Sequence, residues 1–146
     1  MPYETQYVDS EKGVLKIGSG VVTGAELLET ATHQSLDERI RTVKYALVDF
    51  SQMIEMKITS EIVRQMVEIQ KKTSQLAPDV VVAILAPSPL AYGMSRVWQS
   101  FAYDLGWTSN VFHSRPDAVA WLIKKLGKDV PAQEILDEFP SLKIEG

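Results

Sequence analysis

The sequence predicts a single α/β domain built on a mainly parallel β-sheet that is covered by helices. The first observation is that strand-like apolar segments alternate with segments whose apolar residues recur every three or four positions. The second is the uninterrupted apolar run Val80–Ala86, which is bounded by Pro78 and Pro87 and is too short for most helices. A strand that is apolar on both faces is typical of the centre of a parallel sheet. Repeated strand–helix units joined by right-handed crossovers place helices against such a sheet.

The N-terminal segment predicts a β-hairpin. Two apolar stretches, Tyr7–Val8 and Val14–Ile17, flank the turn Ser10–Gly13. We expect the glycine of this turn to adopt a positive φ. Gly18 and Gly20 then break the strand pattern.

Each of the four predicted core helices begins at a residue whose side-chain oxygen can accept a backbone N–H. Thr23 and Glu26 have the spacing of a capping box, and Ser88 is followed by Pro89 at the first helical position. Ser114 is the predicted cap of the fourth helix. The apolar residues that we expect the third helix to bury are Leu90, Met94, Val97, Trp98, Phe101 and Leu105.

The remaining segments complete one domain over residues 1–146. Val43–Phe50 is a predicted strand, followed by a loop through Gln52, Met53 and Glu55. Asn110–His113 is a short fourth strand of the α/β repeat. Residues 128–146 are a predicted C-terminal helical extension.

The composition limits the classes of protein. The chain has 146 residues, no cysteine and a net charge of −4. The absence of cysteine excludes disulfides and thiolate metal sites and fits a reducing, cytoplasmic compartment. The acidic balance argues against nucleic acid as a partner, because such binding depends on phosphate neutralisation by Lys and Arg. The longest apolar run, Val80–Pro87, is far shorter than the roughly 20 residues of a membrane span, so no transmembrane segment is predicted.

Few side chains could form a functional site, and most of them are expected near the carboxyl ends of the predicted strands. Ligands of open α/β sheets bind beyond the carboxyl ends of the strands. Asp49 and Glu55 could converge at this edge, although Asp49 is equally explained as a cap of its own loop. Tyr92 and Arg96 lie one helical turn apart near Ser88, where together they could line a small pocket or an interface.

No catalytic or cofactor motif is present. His33 and His113 have no second ligand at a recognisable spacing, so no metal site is predicted. The Gly-x-Ser-x-Gly elbow is absent, and the glycines Gly18, Gly20 and Gly24 miss the dinucleotide-binding spacing. We therefore expect no cofactor. An enzyme would need Asp49, Glu55, Arg96 and His113 to meet, and we favour a protein that is not an enzyme.

Three stretches carry a resemblance to a known family. They are Tyr45–Ser51, a strand that closes on an acidic loop, Ile58–Glu61, which opens a helix, and Val111–Leu122, a strand and turn followed by Ala-x-x-Trp-Leu. The chain resembles the STAS-like proteins, named for bacterial anti-sigma factor antagonists, and within them the SpoIIAA-like branch. That fold is also similar to a lipid-binding domain. The likeness covers roughly residues 5 to 126.

The resemblance implies a regulatory site at the start of the second core helix. Anti-sigma factor antagonists are switched by phosphorylation of a serine in an Asp-Ser pair at this place. Here the stretch is Lys57-Ile58-Thr59-Ser60, in which no aspartate precedes the hydroxyls. Thr59 and Ser60 could accept a phosphate, since a helix N-terminus favours an anion, or they could only cap the helix.

These observations favour a non-enzymatic binding or regulatory module that acts through protein–protein contacts with a partner protein. We also expect a homodimer, as is common for small domains. The first alternative is a carrier of a small apolar or lipid-like ligand, which the resemblance implies. An apolar cavity under the third helix, bordered by Tyr92 and Met94, would favour this alternative.

Overall fold

The computed structural model describes residues 3–127 and, within them, a five-stranded sheet and four α-helices. The strands are β1 (Tyr3–Val8), β2 (Gly13–Thr23), β3 (Tyr45–Lys57), β4 (Val81–Leu85) and β5 (Thr108–Phe112). The α-helices are α1 (Gly24–Leu36), α2 (Ser60–Leu76), α3 (Pro89–Phe101) and α4 (Arg115–Leu126), and two 3₁₀ helices lie at Glu38–Thr42 and Ala102–Leu105. The predicted C-terminal extension, residues 128–146, lies outside the described residues.

The strands follow the chain order across the sheet. β1 pairs with β2 in an antiparallel hairpin, and each later neighbour pair is parallel. β4 lies between β3 and β5, which confirms the central position predicted from its continuous apolar run. The predicted α/β architecture with an N-terminal hairpin and a mainly parallel sheet is therefore confirmed.

The turn of the hairpin differs from the prediction. The positive φ values belong to Asp9, Ser10 and Glu11, and not to Gly13. Gly13 is instead required by a close approach, because a Cβ added there would lie 2.3 Å from Cζ of the Tyr45 ring.

Strands β2 and β3 are longer than predicted. Their parallel ladder continues as far as Thr23 beside Lys57, with register shifts between Ile17 and Ser19 and between Gly20 and Val21. The predicted loop through Gln52, Met53 and Glu55 is therefore wrong. Strand β2 continues past its glycines because irregular pairing absorbs them and the backbone of β3 supplies hydrogen-bond partners.

The extended part of this ladder stands clear of the rest of the sheet. Strand β4 pairs with β3 only as far as Leu85 beside Asp49. Residues 19–23 and 52–57 thus form a two-stranded segment beyond the end of β4, which we call the β2–β3 projection.

Helices cover the two faces of the sheet unequally. Helices α1, α2 and α3 pack side by side on one face over the larger core, which includes Val14, Ala46 and Val82. Helix α4 covers β4 and β5 on the other face, where Leu122 packs with Leu47. No helix within residues 3–127 is long and apolar enough to cross a membrane.

The predicted buried stripe of α3 is confirmed in part: Trp98 and Leu105 are buried, and Met94 and Val97 pack against the core as half-buried residues. The residues that α3 buries are Ala91, Ser95 and Trp98, whereas Leu90 and Phe101 are exposed. Small side chains at the first two positions let the helix approach the sheet closely, a choice that periodicity alone does not distinguish.

Candidate functional site

Helices α1–α4 each follow a strand of the parallel part of the sheet, so all four begin beside its carboxyl end, and we call this region the carboxyl edge. The caps are as predicted: Thr59 accepts the N–H of Ile62 at 3.2 Å and Ser88 that of Ala91 at 3.2 Å. Ser114 caps α4 in the same way. The N-termini of α3 and α4 therefore lie at the ends of β4 and β5, where ligands of open α/β sheets bind, and those of α1 and α2 lie at the end of the β2–β3 projection.

Asp49 is the buried carboxylate of this edge. Its Oδ1 accepts the backbone N–H of Ser51 at 2.8 Å, so the residue shapes its own turn. Its Oδ2 lies 3.9 Å from Nη2 of Arg115, at the start of α4. The partner that the structure brings to Asp49 is thus a guanidinium, which the sequence analysis did not identify.

The predicted convergence of Asp49 and Glu55 is wrong. Glu55 is exposed and lies six positions further along the same strand, a separation of about 20 Å at 3.3 Å per residue. The carboxylates are held apart because β3 continues as a strand, whereas the prediction assumed a loop that turned back.

Tyr92 and Arg96 make separate contacts. The ring of Tyr92 stacks on the imidazole of His113, with centroids 4.2 Å apart and an interplanar angle of 8°. Arg96 is exposed and donates to Oε1 of Gln99 at 3.1 Å. Tyr92 therefore links the start of α3 to the end of β5, and the bond of Arg96 to Gln99 lies within α3.

Thr59 and Ser60 lie at the N-terminus of α2, and both are exposed. The Thr59 hydroxyl is engaged as the cap, whereas Ser60 is the first helical residue and, among the described residues, no hydrogen bond involves its hydroxyl. Of the two predicted hydroxyls, Ser60 is therefore the one that can be modified without loss of the helix cap.

A second candidate site lies inside the larger core and was not identified from the sequence. A cavity of about 90 Å³ lies between the sheet and helices α1–α3, and its wall is mostly apolar. Met94 lines it, as the carrier hypothesis expected, but Tyr92 does not. The cavity also contacts the side chain of Lys16, which is buried on β2.

Lys16 is held by one neutral partner. Its Nζ donates to Oε1 of Gln34 on α1 at 2.7 Å. Burial lowers the pKa of this ammonium from 10.5 to about 8. The sequence could have indicated that Lys16 is buried, because the alternation of side chains along a strand puts it on the same face as Val14.

The other polar groups of this core are mostly paired. Trp98 Nε1 donates to Oε1 of Gln70 at 2.8 Å, and Trp107 Nε1 donates to the carbonyl of Ala77 at 2.7 Å. Within residues 3–127, no three carboxylate or imidazole groups form a cluster that could hold a metal ion.

Comparison with known proteins identifies the fold. No protein-family model matches the sequence, and no curated protein is significantly similar to it. The solved structure of the anti-sigma factor antagonist SpoIIAA in its unphosphorylated form is similar, with a TM-score of 0.50, 12% sequence identity, and coverage of 84% of this chain and 97% of that one.

A second solved structure comes from Shewanella loihica PV-4. It is an uncharacterized protein of the DUF3478 family with a SpoIIAA-like fold. Its TM-score is 0.49 at 16% identity, and the match covers 82% of this chain and 91% of that one. The chain thus has a SpoIIAA-like STAS fold, as the sequence analysis expected, and the match to SpoIIAA is sufficient for this conclusion.

Proposed function

We propose that the protein is a non-enzymatic regulatory module that binds another protein through its carboxyl edge. The observation that carries the proposal is Ile54, an aliphatic side chain that is 85% exposed on the β2–β3 projection. Val21 of the projection and Leu90 at the start of α3 are also exposed at this edge. Apolar surface rimmed by polar residues is typical of protein–protein interaction sites.

The backbone of the projection supports the same proposal. From Gln52 onward β3 extends past β4, its parallel neighbour on one side. A strand that extends past its neighbour can pair with a strand of another chain, which is a common mode of peptide recognition. The fold is also that of SpoIIAA, an anti-sigma factor antagonist, which is consistent with a regulatory role.

Ser60 is the hydroxyl through which we propose that this binding is regulated. It lies at the N-terminus of α2, where helix N–H groups favour an added phosphate. Phosphorylation of Thr59 would instead disturb the cap that this residue provides to Ile62. The dianion on Ser60 would lie beside the projection, which ends at Lys57, three positions earlier in the chain.

Site-specific photo-crosslinking in the cells of origin tests the proposal. A photoreactive phenylalanine analogue is placed at Ile54 or, as the matched control, at Leu36, which is 67% exposed at the C-terminal end of α1. We expect one defined protein adduct from position 54 that is absent from position 36. The recovered partner should bind Ile54→Glu at least roughly tenfold more weakly than wild type, and Leu36→Glu should bind like wild type.

The same assay tests the regulatory hydroxyl. Ser60→Asp should weaken the adduct at position 54, whereas Ser60→Ala should preserve it. The same adducts at positions 54 and 36, or none at position 54, would contradict the proposed surface. An adduct that does not respond to Ser60→Asp would contradict only the proposed regulation.

The carrier alternative has one observation in its favour, the cavity beside Met94. Its volume of about 90 Å³ is below the roughly 300–1,000 Å³ of typical ligand pockets, so a lipid-sized ligand does not fit it. This cavity therefore gives no support to a carrier of a lipid-sized molecule, and that alternative stays a prediction.

A further inference from the structure

The larger core contains a buried cation, the ammonium of Lys16, whose single described hydrogen-bond partner is neutral. Lys16 is 7% exposed, and its Nζ donates to Oε1 of Gln34 at 2.7 Å. An ammonium has three N–H donors, and no other acceptor for them is found among residues 3–127. No carboxylate of this described part of the chain forms an ion pair with Lys16.

The surroundings of this ammonium are apolar. Within the described residues, Lys16 is the only charged side chain that lines the cavity, and the wall beside it includes Val48, Met66 and Ile84. The nearby amide of Gln70 is already engaged by Trp98. A charge removed from water is costly unless it is paired, so an anion in this cavity would meet a strong, unsatisfied donor.

We propose that the cavity binds a small apolar monocarboxylate, whose carboxylate accepts hydrogen bonds from the ammonium of Lys16. The hydrocarbon part would replace empty space against the apolar wall. The small size of the cavity, about 90 Å³, favours a short-chain acid over a long-chain fatty acid.

The geometry also provides a route to the site. Tyr3, Thr30 and Gln34 line the cavity and also line an outer groove of about 600 Å³ formed by β1, β2 and α1. Gln34, which accepts from Lys16, thus contacts both the cavity and the outer groove. Rotation of this side chain would free the ammonium for a stronger, charged acceptor.

No other group that lines the described cavity wall titrates between pH 7 and 9. Tyr3 of β1 is the other titratable residue of the described cavity wall, and burial raises the pKa of its phenol far above neutrality. Thr30 and Gln34 of α1, Gln70 of α2 and Ser95 of α3 do not titrate. Glu29 and His33 of α1 are exposed in the outer groove. Loss of affinity between pH 7 and 9 would therefore report Lys16, whose pKa lies at about 8.

The test uses the whole chain and sodium butyrate as the probe. Binding is measured by NMR titration, with the ¹³Cε signal of Lys16 followed as a function of pH with and without butyrate. Neutral n-butanol is the ligand control. Lys16→Met removes the charge at nearly constant volume, and Lys72→Met removes an exposed lysine as the matched control.

We expect butyrate to occupy one site and to raise the pKa of Lys16, because the ligand binds the protonated form. Affinity should fall roughly tenfold or more in Lys16→Met and for n-butanol, and it should be unchanged in Lys72→Met. Equal binding to Lys16→Met overturns the proposal. If that variant does not fold, the wild-type signal decides, since a Lys16 resonance that butyrate never shifts also overturns it.

Discussion

Lys16 carries its charge inside the protein at neutral pH, at a cost to the stability of the fold. Burial is the cause that lowers its pKa from 10.5 to about 8. Between these two values the unfolded chain binds more protons than the folded chain, so the free energy of unfolding rises with pH. The cost is therefore fully present below pH 8 and is relieved as the pH rises towards 10.5.

This residue predicts an unusual pH profile of stability. From pH 7 to 9.5 the free energy of unfolding should increase by about 2 kcal/mol as Lys16 loses its proton. Lys16→Met should be more stable than wild type at pH 7 and should lack this increase. Urea unfolding at a series of pH values measures both effects.

Two other residues provide the control for this experiment and the upper end of its pH range. Lys72→Met should keep the increase, because Lys72 is exposed. Burial raises the pKa of Tyr7 from 10.0 to about 12, so stability gained from its phenol is lost only above about pH 10. Parallel pH profiles for wild type and Lys16→Met would show that Lys16 is not buried as a cation.

At the scale of elements, local signals predicted the helix starts well. Thr23 and Glu26 form the reciprocal capping box that their spacing indicated, with Glu26 N–H 3.3 Å from Oγ1 of Thr23. A cap depends on residues within one turn, so sequence is sufficient. The extent of β2 and β3 could not be predicted in this way, because each strand depends on hydrogen bonds to a partner more than thirty positions away.

Replacing Gly13 of β2 or Gly93 of α3 with alanine should change the free energy of unfolding in opposite directions. A Cβ at Gly13 would meet the Tyr45 ring at 2.3 Å, whereas nothing lies within 4 Å of a Cβ at Gly93 in α3. Gly13→Ala should lower the free energy of unfolding by about 1–3 kcal/mol through overpacking. Gly93→Ala should raise it by about 0.5–1 kcal/mol through helix propensity. Thermal and urea unfolding measure both, and effects of the same sign would contradict this account of Gly13.

At the scale of the whole molecule, exposed aromatic side chains bear on assembly. Tyr103 is 85% exposed and Phe101 is also exposed, near the C-terminal end of α3 and away from the carboxyl edge. We propose that this surface mediates the homodimer that the sequence analysis expected, because isologous dimers bury self-complementary apolar patches.

Sedimentation analysis over a range of concentrations tests this dimer. Wild type should associate to a dimer, and the double variant Phe101→Ser, Tyr103→Ser should remain a monomer. Leu36→Ser is the matched control, since it removes an exposed apolar side chain at another helix end without changing the dimer. A wild-type chain that stays monomeric at every concentration would contradict the proposal.

The sequence by itself determined the α/β class, the mainly parallel sheet, the central strand within Val80–Ala86 and the starts of the four described helices. These features depend on hydrophobic periodicity and capping, which act over a few neighbouring residues. The tertiary structure decided the β2–β3 projection, the separation of Asp49 from Glu55 and the cavity around Lys16. Each of these depends on which distant segments pack together, because pairing and burial are properties of the assembled core.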